Sequence, residues 1–154
     1  MINYEQIELA NGTTYQVVPN GIMENSDKTK LTITVLAEEK TLAEVDSDTD
    51  TPGNVEKINI KDIYGDVIDI KKGYRYQAGC RKIKDYVIGR ESVETGEFDE
   101  EGNPVYSYND VTGTVFVIEL SVSDIRAELD GIKKKIENIN ETVDMLVIDS
   151  LEVM

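Results

Sequence analysis

The chain has 154 residues, 40% hydrophobic and 31% charged, which suits one folded domain with an appendage and fits neither a disordered nor a membrane-protein composition. Its 16 Lys and Arg face 31 Asp and Glu, a formal charge of −15 with no histidine, so a phosphate backbone is repelled and nucleic acid is not an expected partner. Cys80 stands alone, the start "MINYEQIELANG" has no signal-peptide pattern, and apolar runs such as "TVFVIEL" and "MLVI" are too short to span a bilayer; synthesis in a reducing cytoplasm and no membrane partner are expected.

Residues 1–122 read as a β-rich head. "YEQIEL" and "TTYQVV" flank Asn11-Gly12, which accepts the positive φ angles of a tight turn, so a hairpin is predicted. "KLTITVL" sets Leu31, Ile33 and Val35 on one face and Thr32 and Thr34 on the other, the period of a half-buried strand inside a sheet. "TLAEV" predicts one short helical turn, after which "DSDTDTPGN" is expected to form the main surface loop of the first half. "KINIKDIYGDVIDI" alternates through Ile58 and Ile60, turns near Tyr64-Gly65 and resumes through Val67, Ile68 and Ile70 as a second hairpin. "GYRYQAG" adds a strand. "KDYVIGRESVETGEF", the polar tip "DEEGN" and "PVYSYNDVTGTVFVIELSV" then make a long two-stranded ribbon, expected to project over about residues 91–108 and to rejoin the core at Val115 and Val117.

Beyond Val122 the apolar period changes from two to about three and a half, and residues 123–154 read as a helical oligomerisation segment. Ser123 or Asp124 is suited to cap its first amides. Heptad assignment puts Ile125, Ile132, Ile139 and Leu146 at d, and Leu129, Ile136 and Val143 at a, with mostly charged or amide residues at b, c and f. This seam is narrower than the face of a helix lying on a sheet. Isoleucine at both core positions disfavours the parallel dimer and points to a homotrimer, with Glu128 and Lys133 placed to pair between neighbours. The competing reading is that the helix folds back on its own sheet. Lys133, Lys134 and Lys135 read as a solvated helix face, and Gly131 at position c as an exposed glycine costing about 1 kcal/mol relative to alanine. Val147, Ile148, Leu151 and Val153 leave the register, so the end packs against something else or flares apart.

Chemistry-bearing motifs are few. Asp46, Asp48 and Asp50 resemble the opening of a calcium loop, but Thr51 and Lys57 occupy the places that need glycine and a bidentate glutamate, and a solvated acidic loop is expected. With no histidine and one cysteine, neither a zinc site nor a Ser-His or Cys-His pair can be assembled, and no phosphate loop or dinucleotide fingerprint occurs. No catalytic residue, metal or cofactor is expected, and the chain reads as a non-enzyme. Tyr74 with Tyr76 and Tyr106 with Tyr108 form alternating pairs that suit either a binding surface or, more simply, cross-strand packing at a sheet rim.

The segments "IELANGTTYQVV", "KLTITVLAEEKTLAEV", "NVEKINIKDIYGDVIDIKKGY", "EEGNPVYSYNDVTGTVFVIELS" and "ETVDMLVIDSLE" together resemble small virion-associated proteins from the tail or baseplate regions of phages and prophages of low-GC Gram-positive bacteria. The resemblance implies a structural subunit of the virion, made in the bacterial host cytoplasm, contacting other virion proteins; it carries over no functional residue. The expected architecture is mainly β with a long C-terminal α-helix: an antiparallel β-sandwich or barrel-like head plus a coiled-coil stalk. Ile125, Leu129, Ile132, Ile136, Ile139, Val143 and Leu146 are expected to join protomers, and Phe98, Tyr106, Tyr108, Ile148 and Leu151 to meet a partner. The alternative is a soluble acidic interaction module, such as a phage assembly chaperone or an inhibitor of a basic partner.

Overall fold

A computed structural model describes the backbone of residues 2–152 and the side chains of residues 2–143. The chain divides into two compact units, Met1–Ser123 and Asp124–Met154. The first holds strands β1 (Glu5–Glu8), β2 (Thr14–Glu24), β3 (Lys30–Leu36), β4 (Lys57–Lys61), β5 (Val67–Lys72), β6 (Tyr76–Phe98) and β7 (Pro104–Ser121), with helices α1 (Leu42–Thr49) and α2 (Pro52–Val55) between β3 and β4. The second is one helix, α3 (Ile125–Glu152). The protein is therefore mainly β with a C-terminal helix.

All seven strands lie in one antiparallel sheet of order β5-β4-β1-β2-β3-β7-β6. The expected interior position of "KLTITVL" holds, since β3 lies between β2 and β7. The sheet does not close, because its terminal strands β5 and β6 are not paired with each other, and among the described residues no second sheet is stacked on it as a sandwich requires. The reason lies in the core. Inward residues Ile7, Val17, Ile33, Ile58, Ile60, Phe116 and Ile118 are covered by Val45 of α1 and Val55 of α2, so two short helices take the place of further strands.

Those helices correct one expectation, for most of "DSDTDTPGN" is helical rather than a surface loop. Thr41 and Glu44 form a capping box, each side chain accepting from the other's amide, and Pro52 sits at the start of α2, where its missing N–H costs nothing. Tertiary bonds hold the pair in place. The buried Tyr15 hydroxyl donates to Asp48 Oδ2 at 2.7 Å, Gln77 Nε2 donates to Thr49 Oγ1 at 2.7 Å, and Asn54 Nδ2 donates to Asp48 O at 3.0 Å. Asp46 and Asp48 are thus on a helix with Asp50 as its C-cap, and residues two apart project to nearly opposite sides. They do not converge on a cation, and no cluster of three metal-ligating side chains occurs among the described residues.

Short polar side chains organise the turns. The Asn11-Gly12 hairpin forms, with Gly12 at φ 87° and Asn11 Oδ1 accepting from the Thr13 amide at 3.0 Å. Asp62 Oδ1 accepts from the amides of Tyr64 and Asp66 in the β4–β5 turn, and Asp99 Oδ1 from those of Glu101 and Asn103 in the β6–β7 turn. Residues 18–21 bulge out of β2, since Val17 pairs with Val35 and Ile22 already pairs with Ile33. Only glycine fits at Gly21, because a Cβ there would lie 2.7 Å from Thr34 O and 2.8 Å from Val18 O.

The β6–β7 ribbon is longer than the core beneath it. β7 pairs with β3 only from Val115 to Ser121, so over residues 104–113 its one strand partner is β6. Near the ribbon's base, Ile2 lies so close to Gly89 that a Cβ on that glycine would meet Ile2 Cδ1 at 2.6 Å.

Candidate assembly surfaces

α3 begins where the change of period places it. Asp124 Oδ1 accepts from the Ala127 amide at 3.0 Å and satisfies one of the first free donors. Leu129, Ile132, Ile136, Ile139 and Val143 follow each other along one side of the helix and stay 50–61% exposed, while Ile125 is partly buried. A single helix offers nothing of its own unit against which to bury such a stripe. Gly131 has no atom within 4 Å of its missing Cβ, so no close contact requires glycine there. Leu146, Ile148 and Leu151 lie outside the residues whose side chains are described.

The ribbon presents a second surface. Phe98 pairs with Pro104, Tyr106 with Glu94 and Tyr108 with Ser92, a register that sets the three aromatic rings on one face. Phe98 is 69% and Tyr108 72% exposed, and the Tyr106 hydroxyl reaches Glu94 Oε1 only at 3.4 Å. Between residues 91 and 108 the sequence carries six carboxylates and no Lys or Arg. The other tyrosine pair behaves differently. Tyr74 is buried and donates to Glu24 Oε2 at 2.5 Å, and Tyr76 is half-buried at the start of β6. No known family model, curated protein or solved structure matches the chain.

Three groupings escape the sequence pattern. At the open end of β5, Glu24 accepts from both Tyr74 and Lys71, and Lys71 also pairs with Asp69 at 3.1 Å. The bond from Tyr74 holds the Glu24 carboxyl below the usual range, while burial and that same bond push the Tyr74 phenol up to about 12. Cys80, half-buried on β6, has its thiol pushed up to about 11 by burial, with the nearby Asp46 carboxylate adding to the effect. An open cleft of about 460 Å³ borders the β2 bulge and is lined in part by Tyr4, Glu5, Asn20 and Ile63. The Glu24 carboxylate and the Tyr74 phenol are bonded to each other, a contact between β2 and the segment that leads into β6.

The surface that strand periodicity hides is the β5 edge. Val67, Ile68 and Ile70 are all exposed on a terminal strand, and Tyr64 is exposed in the adjoining turn. "VIDI" signals a strand, but edge position depends on the strand order of the whole sheet. The only sequence hint is the break in alternation at Val67-Ile68, which coincides with a register shift against β4.

Proposed function

We propose that the protein is a non-enzymatic structural subunit that assembles with copies of itself through a coiled coil of α3, three chains running parallel. The observation that carries the reading is the aliphatic heptad stripe: seven consecutive a and d positions filled, with the described members from Leu129 to Val143 half exposed or more. Burying an aliphatic side chain is worth about 1.5–3 kcal/mol in full, so a repeated seam can offset the entropy of association. The resemblance to virion-associated proteins is the sole support for placing this subunit in a phage or prophage tail, baseplate or other virion part.

Absolute mass by light scattering tests it on the full-length chain and on a chain truncated after Val122. The expected result is a trimer that becomes a folded monomer on truncation. A full-length monomer would refute the stalk.

The acidic ribbon favours a second reading, a soluble module that binds a basic partner. Such a module would bind with steep salt dependence and would be absent from a finished particle, whereas a structural subunit is retained at fixed copy number.

A further inference from the structure

We propose that the free edge of β5 is an assembly surface that receives residues 91–94 of β6 from a neighbouring copy's ribbon as an added strand. The self-assembling reading supplies the partner, but the residues involved are not those of the α3 seam.

The backbone defines the edge. The Gly73 amide donates to Glu56 O at 3.0 Å and continues the register in which Lys57 faces Lys72 and Asn59 faces Ile70. Bonded and non-bonded pairs alternate in an antiparallel ladder, so the polar backbone groups of Ile70 and Lys72 point away from β4. In the single chain the Ile70 amide is met by the carboxylate of its own neighbour, Asp69, at 2.8 Å. That local bond occupies the place of an incoming carbonyl. Edge strands are commonly blunted by charge, proline or cover; β5 carries Asp69, Lys71 and Lys72 but also leaves Val67, Ile68 and Ile70 exposed.

Charge identifies the occupant. Lys57 and Lys72 are cross-strand partners, both exposed, and neither has a carboxylate within salt-bridge distance among the described residues. Like charges placed directly opposite each other disfavour the pair unless a counter-charge arrives. In a chain of formal charge −15, this is an unneutralised basic end on an apolar edge. The ribbon offers the complement: Glu91 on β6 shares a face with exposed Val93, and no strand but β7 lies beside them among the described residues. Backbone bonds of an added strand supply affinity, and the side-chain pattern supplies selectivity. Edge and ribbon are different patches of one chain, so the contact is heterologous and closes into a ring when copies are related by rotation, as three chains on one coiled coil are.

The test uses full-length chains carrying Cys80→Ser. One bears Ile70→Cys and the other Val93→Cys; they are mixed with a short bismaleimide, and the mixed adduct is quantified by mass spectrometry. The adduct should exceed that of an Asn25→Cys and Val93→Cys control pair by about tenfold, fall several-fold when Lys57→Glu and Lys72→Glu are added to the edge chain, and recover when Glu91→Lys is added to the ribbon chain. An adduct no greater than the control, or one indifferent to the charge reversals, overturns the proposal. Light scattering on the same chains separates the two claims. An oligomer of full mass without the adduct refutes the edge contact and leaves the stalk, whereas a weak association that yields the adduct after the stalk is disrupted supports the edge contact alone.

Discussion

Replacing Ile132 and Ile139 together by aspartate should dissolve the assembly while leaving the head folded. The two side chains are 53% and 61% exposed in the single chain, so about half of the transfer value of an isoleucine remains to be gained on assembly, roughly 0.8–1.5 kcal/mol each. Two positions in each of three chains make that roughly 5–9 kcal/mol, before the added cost of carrying carboxylates into an apolar seam. At about 1.4 kcal/mol per factor of ten, the dissociation equilibrium moves by roughly four to six orders of magnitude. The assay is absolute mass by light scattering over a wide concentration range, with circular dichroism confirming that the strands persist. Lys134→Asp, at an outward heptad position, should retain the oligomer. An unchanged mass for the double variant would refute the seam, and so would equal dissociation of the Lys134→Asp control.

Three further outcomes are expected. Gly21→Ala should destabilise the head by about 1–3 kcal/mol and lower its melting temperature by several degrees, because the backbone oxygens of Thr34 and Val18 leave no room for a methyl group; Gly53→Ala, with nothing within 4 Å, should not, and equal melting of the two variants would contradict the bulge geometry. Tyr74→Phe should lower stability near neutral pH and narrow the gap to the native protein under acid, since Glu24's contribution is present above its ordinary value and is lost as pH falls through its depressed one. At the alkaline end the Tyr74 contribution is complete below its ordinary value of 10.0 and is lost as pH rises through about 12, so denaturant titrations of the two proteins should converge there as well. Cys80 should react with a soluble disulfide reagent far more slowly in the folded chain than in the unfolded one at pH 8, and its contribution to stability should fade as pH rises from 9.0 through about 11; equal labelling rates would show the thiol to be accessible and ionised.

Local order was legible in the sequence and long-range order was not. The Asn11-Gly12 turn, the alternation of "KLTITVL" and the Tyr64-Gly65 hairpin each depend on neighbours within a few residues, and each forms. "DSDTDTPGN" misled because Asp, Ser, Pro and Gly are loop formers by local preference, whereas Tyr15, Gln77 and the buried Val45 and Val55 hold the segment helical from a distance. The capping box of Thr41 and Glu44 was the available signal. The stripe of α3 was visible in its spacing. The exposed β5 edge was not, because being outermost is a property of strand order and of no single residue.

The β3–β7 pairing also sets a timetable. It joins segments about eighty residues apart, so the chain must close a long loop before β3 can bond on its second side. Until β7 has left the ribosome, the apolar face of β3 waits with one edge open, a state prone to wrong pairing. α3 begins only a few residues after β7 ends, and the helix is therefore made after the strand that completes the core. If copies meet through α3 as proposed, this order of synthesis delays that meeting until each has the means to finish its own head.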